Sequence, residues 1–134
     1  LTQEDYVSFV QPYQKKILQA LPKETPKTLF VKGVSPYLKH VAHLGADILS
    51  VDWKVTLSEA WSQISQIEGN TIKCLQGNLD PIKLTSSPEF VTQETKKVLA
   101  DAKNLPCAHI LNLGHGVTPD ARVDSVKAFI AAAR

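Results

Sequence analysis

A chain of 134 residues, 43% hydrophobic and 21% charged, has the length and balance of one globular domain, which excludes a disordered tail. Its formal net charge of +2 comes from 15 basic and 13 acidic residues with no run of like charge, which argues against a nucleic-acid partner. Even the apolar stretch from Phe129 to Ala133 is far short of the roughly 20 residues that cross a bilayer, so no membrane segment is expected.

The opening residues lack the pattern of a secretory leader. Cys74 and Cys107 stand apart as free thiols, which suits a reducing cytosol or an organelle stroma. A start at Leu1 and the lack of any methionine lead us to expect a piece of a longer protein.

Thr2 and Asp5 form a capping box before Tyr6, Phe9, Val10, Tyr13 and Ile17, whose spacing predicts an opening helix. Pro12 should divide it in two, because proline removes a backbone donor and clashes with the turn before it. Thr28 to Lys32 reads as a first strand, and Ser35 with Pro36 as the start of a helix carrying Tyr37, Leu38, Val41 and Leu44 up to Gly45. Asp47 to Val51 is the second strand. Thr56 and Glu59 cap the next helix, with Leu57, Ala60, Trp61 and Ile64 on one face. Thr71 to Leu75 reads as the third strand, followed by a connecting segment through Asp80 and Pro81 and a helix opening at Ser87 and Pro88. Ala108 to Leu113 is the fourth strand, and a helix bearing Val123, Val126, Phe129 and Ile130 closes the sequence.

Four successive βα units with near-continuously apolar strands predict a parallel α/β sheet covered by helices. The first βα turn, Lys32-Gly33-Val34-Ser35, lacks the glycine fingerprint of a dinucleotide fold. The expected fold is therefore half of a TIM (β/α)8 barrel, with residues 1–134 as one portion of a single barrel domain. In such barrels the chemistry gathers where the strands end in the βα loops. Those ends read Lys32-Gly33, Asp52-Trp53, Gln76-Gly77-Asn78-Leu79-Asp80 and Gly114-His115-Gly116.

His115, between two glycines, has three readings from its position alone: a residue open to the barrel mouth, a turn histidine bonded to a nearby carbonyl, or part of a glycine-rich phosphate site. Asp52 is either a mouth residue or a buried polar anchor. Gln76, Asn78 and Asp80 can touch a ligand, but Asp80 before Pro81 is a common turn device and Asn78 suits a tight loop, so structural roles are favoured. Lys32 reads as solvated. His40 and His43 share one helix at a spacing that can hold a metal, yet no further ligand supports them and no metal site is expected. His109 starts its strand, at the stability end of a barrel, and Tyr37 and Trp61 are read as core.

Gln-Gly-Asn-Leu-Asp-Pro at 76 to 81 and Asn-Leu-Gly-His-Gly-Val at 112 to 117 resemble hallmark segments of the uroporphyrinogen decarboxylases, C-terminal portion. Gly45-Ala46-Asp47, Val51-Asp52-Trp53, Tyr6, Phe9-Val10 and Pro12-Tyr13 resemble that family in the same order. The loop at Val34 to Pro36 departs from it, lacking a second glycine and a histidine. The resemblance implies a carboxy-lyase without metal or organic cofactor, converting uroporphyrinogen to coproporphyrinogen in haem and chlorophyll synthesis, and a homodimer in the cytoplasm, or in a plastid if the source is a plant. It implies that His115 binds substrate, facing the concave side of the sheet with Asn112 or Gln76 nearby. The family's arginine-rich segment and its pyrrole-binding aspartate have no match, so no catalytic residue is assigned and the 134 residues alone should be inactive. The rival readings are a cobalamin-dependent methyltransferase of the same barrel type, whose zinc ligands Cys74 and Cys107 are poorly placed to supply, and a non-catalytic folding or dimer module.

Overall fold

The computed structural model describes residues 1–134. Helices α1 (Gln3–Phe9) and α2 (Gln11–Ala20) meet at Val10, with Pro12 in the first turn of the second. Proline is harmless there because a first-turn N–H has no intrahelical acceptor. The Thr2 hydroxyl accepts from the Asp5 N–H and the Asp5 carboxylate from the Thr2 N–H, so the expected capping box forms. Strands β1 (Thr28–Phe30), β2 (Ile48–Ser50), β3 (Cys74–Leu79) and β4 (Ala108–Leu113) make one parallel sheet in sequential order. Between them lie α3 (Leu38–Val41), α4 (Leu57–Ile64) and α5 (Pro88–Lys103), and α6 (Val123–Ala131) follows β4.

Register divides the sheet into two faces, because side chains alternate along each strand. Leu29, Leu49 and Leu75 stand side by side and are buried with Leu38 and Val41 of α3, Leu57, Ala60 and Ile64 of α4, and Ala102 of α5. This is the helix-covered side. The neighbouring row, Phe30, Ser50, Gln76 and Ile110, lies on the opposite face, where Phe30 and Ile110 remain 45% and 43% exposed. Four parallel strands, helices over one face and a partly apolar open face make up half of a (β/α)8 barrel, in which that open face fills the interior. β1 and β4 are the two edges, each paired on one side only.

Two local expectations are corrected. The third strand does not run from Thr71 to Leu75. Thr71 gives its N–H to Ala42 and its hydroxyl to Ala46, and the Ile72 N–H goes to the Asn70 side chain, so these residues fasten a turn. The ladder begins at Cys74 and carries the Gln-Gly-Asn-Leu segment, read above as loop, in register with Ile110 to Leu113. Gly77 permits this with a φ of +134° and no side chain, since a Cβ there would lie 2.7 Å from the Val51 carbonyl oxygen. The second correction concerns Ser35, which caps no helix: it opens a 3-10 turn over Ser35–Tyr37, and its hydroxyl is taken by Asp52. By contrast, Thr56 with Glu59 and Ser87 with Phe90 cap α4 and α5 as expected.

Candidate functional site

The carboxyl ends of the four strands are tied together by polar contacts running across the sheet. Asp52, just past β2, is completely buried. Its carboxylate accepts from the Ser35 hydroxyl at 2.6 Å, from the Lys54 N–H at 2.9 Å and, more weakly, from the Ser35 N–H at 3.4 Å. Burial of a carboxylate is tolerable when its lone pairs are met by donors in this way. Its carbonyl in turn accepts from the Asn78 side chain at 2.9 Å, and the same amide reaches the Val55 carbonyl at 2.6 Å. Asp52 and Asn78 thus join the loop after β1 to the ends of β2 and β3. Asp52 is the buried anchor, not a mouth residue.

The end of β4 closes on the same cluster. The Gly114 N–H donates to the Leu79 carbonyl at 2.8 Å, and a Cβ on Gly114 would sit 2.4 Å from the Trp53 nitrogen. Any side chain there would push the two loops apart. This approach sets His115 beside Trp53, ring centroids 4.7 Å apart at 80°. The Lys54 ammonium lies 5.6 Å from the indole centroid. His115 is half-buried, and its Nδ1 lies 2.7 Å from the Gly116 carbonyl oxygen. A carbonyl only accepts, so Nδ1 carries a proton, and Nε2 is left as the ring atom uncommitted to the protein.

The other candidates take plainer places. The Gln76 amide donates to the Ser50 hydroxyl at 3.3 Å across the open face, and the Asn112 side chain accepts from the Leu113 N–H. His115 is thus brought to Trp53, while Asn112 and Gln76 bond elsewhere. Asp80 accepts from the Ile82 N–H and caps the 3-10 turn at Pro81–Thr85. His109 Nε2 meets the Gly77 carbonyl at 2.7 Å, a bond within the sheet. His40 faces the Tyr6 ring at 6.5 Å, and no three His, Cys, Asp or Glu side chains gather in a metal-holding group. Lys32 is exposed. Tyr37 stacks on Tyr6, whose hydroxyl is pushed up to about 12, chiefly by burial. Burial also pushes the thiols of Cys74 and Cys107 up, away from the thiolate form.

Sequence reasoning missed Trp53 as a neighbour of His115. The one available signal was an aromatic residue at a strand end, together with a glycine just before the histidine. Neither reveals that the two loops touch.

Behind this rim, a cavity of about 370 Å³ opens between α4, α5 and the loops after β2 and β3. Glu94, on its wall, takes the Lys83 ammonium at 2.5 Å and that of Lys97 at 2.5 Å. The Lys83 hydrogen bond first, and that of Lys97 second, hold its carboxyl below the usual value.

A protein-family model described as Uroporphyrinogen decarboxylase (URO-D) matches residues 1–134. Among curated proteins, the uroporphyrinogen decarboxylase of Vesicomyosocius okutanii is 38% identical over 133 residues, covering 97% of this chain and 37% of the relative. That of Trichodesmium erythraeum is 38% identical over 137 residues, covering 100% of the chain and 37% of the relative. The Actinobacillus succinogenes protein of the same name is 39% identical over 135 residues, with 97% and 36% covered. The chain thus spans a little over a third of the length of these relatives.

Proposed function

Because the chain belongs to the uroporphyrinogen decarboxylase family, we propose that it forms the C-terminal wall of a barrel that removes the carboxyl groups from the four acetate side chains of uroporphyrinogen. The product is coproporphyrinogen, and the step serves porphyrin synthesis. The observation that carries this reading is the family match along all 134 residues. The half-barrel fold and the position of His115 support it.

The chemistry asks the protein for charge placement. Protonation of a pyrrole carbon turns the ring into an electron sink. The bond to the acetate carboxyl then breaks, its electron pair enters the ring and carbon dioxide leaves; a proton adds to the side-chain carbon that becomes the methyl group, and the pyrrole carbon releases the proton it took up, which restores the ring. Groups aimed at the changing charges lower the barrier. His115 contributes here through Nε2: a carboxylate only accepts, so an imidazole protonated on both nitrogens, one bound to Gly116, holds a substrate carboxylate with the other. The Asp52 and Asn78 network keeps the loops carrying this contact in place. Residues 1–134 serve as one part of a single barrel domain, working in the cytoplasm and paired with a second copy in the intact enzyme.

The test is His115→Ala in the intact barrel. Conversion of uroporphyrinogen to coproporphyrinogen should slow by about tenfold or more, the weight of one charge-assisted contact, with an unaltered circular dichroism spectrum. An unchanged rate would return His115 to the role of a turn residue.

A further inference from the structure

We propose that Trp53 is a positioning residue for His115, holding the imidazole so that Nε2 is presented to a substrate carboxylate; this rests on the reading of His115 as a substrate contact. Trp53 belongs to neither buried cluster of the protein, so core packing does not account for its indole. Its backbone is held on both sides. Asp52 before it is anchored by Ser35 and Asn78, and the Lys54 N–H after it is bound by the Asp52 carboxylate. The indole therefore stands on a fixed base.

His115 is in the opposite situation. It follows the end of β4, between two glycines, and a Cβ added at Gly116 would meet nothing within 4 Å. Within the protein its ring has one hydrogen bond, to the adjacent Gly116 carbonyl, and that bond travels with the loop. Across the loops the ring meets Trp53, edge to face at 4.7 Å, a favoured geometry for such rings. Gly114 makes the contact possible, because with a Cβ at 2.4 Å from the Trp53 nitrogen the two loops could not close to this distance. A rigid wall beside a loosely tethered ring lowers the ordering cost of ligand binding, an effect worth roughly threefold to tenfold in affinity for one side chain.

The experiment is a double-mutant cycle in the intact barrel, using Trp53→Leu, Trp53→Phe, His115→Ala and the Leu/Ala double variant, with uroporphyrinogen as substrate. Trp53→Leu should lower kcat/KM about threefold to tenfold, mainly through KM, and Trp53→Phe should stay within about twofold of wild type because a ring remains. The double variant should be no slower than His115→Ala alone, since the indole acts through the imidazole. In ¹⁵N spectra taken in alkaline buffer, where the ring is neutral and the Gly116 bond selects one tautomer, Trp53→Leu should draw the two His115 ring nitrogens toward a common shift as that bond loosens. Effects that multiply in the double variant, or a Trp53→Leu protein with wild-type kinetics and His115 spectrum beside an impaired His115→Ala, would overturn the positioning role and leave the substrate contact standing. Wild-type kinetics for His115→Ala would overturn both. Should Trp53→Leu fail to fold, Trp53→Ala and Trp53→Tyr decide by the same readouts, with Tyr expected to rescue and Ala to impair.

Discussion

Replacing Asp52 tests whether the strand ends are held by the network described. Two donors approach its carboxylate closely, the Ser35 hydroxyl at 2.6 Å and the Lys54 N–H at 2.9 Å, and the Ser35 N–H at 3.4 Å adds little. Hydrogen bonds to a charged group contribute about 1.5–3 kcal/mol each. The Ser35 hydroxyl can turn away when its acceptor is lost, whereas the Lys54 N–H cannot. Asp52→Ala should therefore cost about 3 kcal/mol, and Asp52→Asn, which keeps one oxygen and the shape, about 1–1.5 kcal/mol. Ser35→Ala should cost about 1 kcal/mol and add little on top of Asp52→Ala, because both remove one shared bond. Urea unfolding of the intact barrel, followed by far-UV circular dichroism, reads these losses as shifts in midpoint. An Asp52→Ala protein within about 0.5 kcal/mol of wild type, the range of surface substitutions, would refute the anchoring role.

Two further outcomes follow from the geometry. Gly77→Ala should destabilise by more than about 2 kcal/mol in the same urea assay, since its Cβ would lie 2.7 Å from the Val51 carbonyl oxygen in a backbone region that side chains avoid. Glu94→Gln should cost about 0.5–1 kcal/mol at neutral pH, as the two lysine contacts lie near the surface. Because those lysines lower the folded-state value of Glu94, its contribution is present above the ordinary value of 4.5 and fades as pH falls through the lowered one. The two proteins should converge in urea titrations run in acid.

What the sequence revealed depends on the range of the forces involved. Thr2 with Asp5 and Thr56 with Glu59 were readable as helix starts because a capping box is closed within four residues. The parallel sheet was readable because Leu29, Leu49 and Leu75 sit in short apolar runs between helices. The start of β3 was misplaced because Thr71 and Ile72 look like strand residues, while their hydrogen bonds go to Ala42, Ala46 and Asn70. Gln76-Gly77-Asn78 looks like a loop, yet the lack of a side chain at Gly77 is what admits the Val51 carbonyl. Ser35 beside Pro36 satisfies every local rule for a cap, but a carboxylate from the next strand end competes for its hydroxyl. At the site, both alternatives for Asp52 were readable from its place at a strand end, and its burial decides between them. The contact of Trp53 with His115 was illegible because it depends on how closely two separate loops approach.

The central claim is that these 134 residues are one wall of a decarboxylase barrel, and the most direct measurement is the conversion of uroporphyrinogen by the chain alone and by the chain joined to the preceding part of the barrel. Alone, with β1 and β4 open at the sheet edges and Phe30 and Ile110 on an uncovered face, it should associate and give no coproporphyrinogen. Joined, it should turn substrate over. A monodisperse monomer of residues 1–134 that makes coproporphyrinogen, or a joined and folded barrel that makes none, would contradict the account.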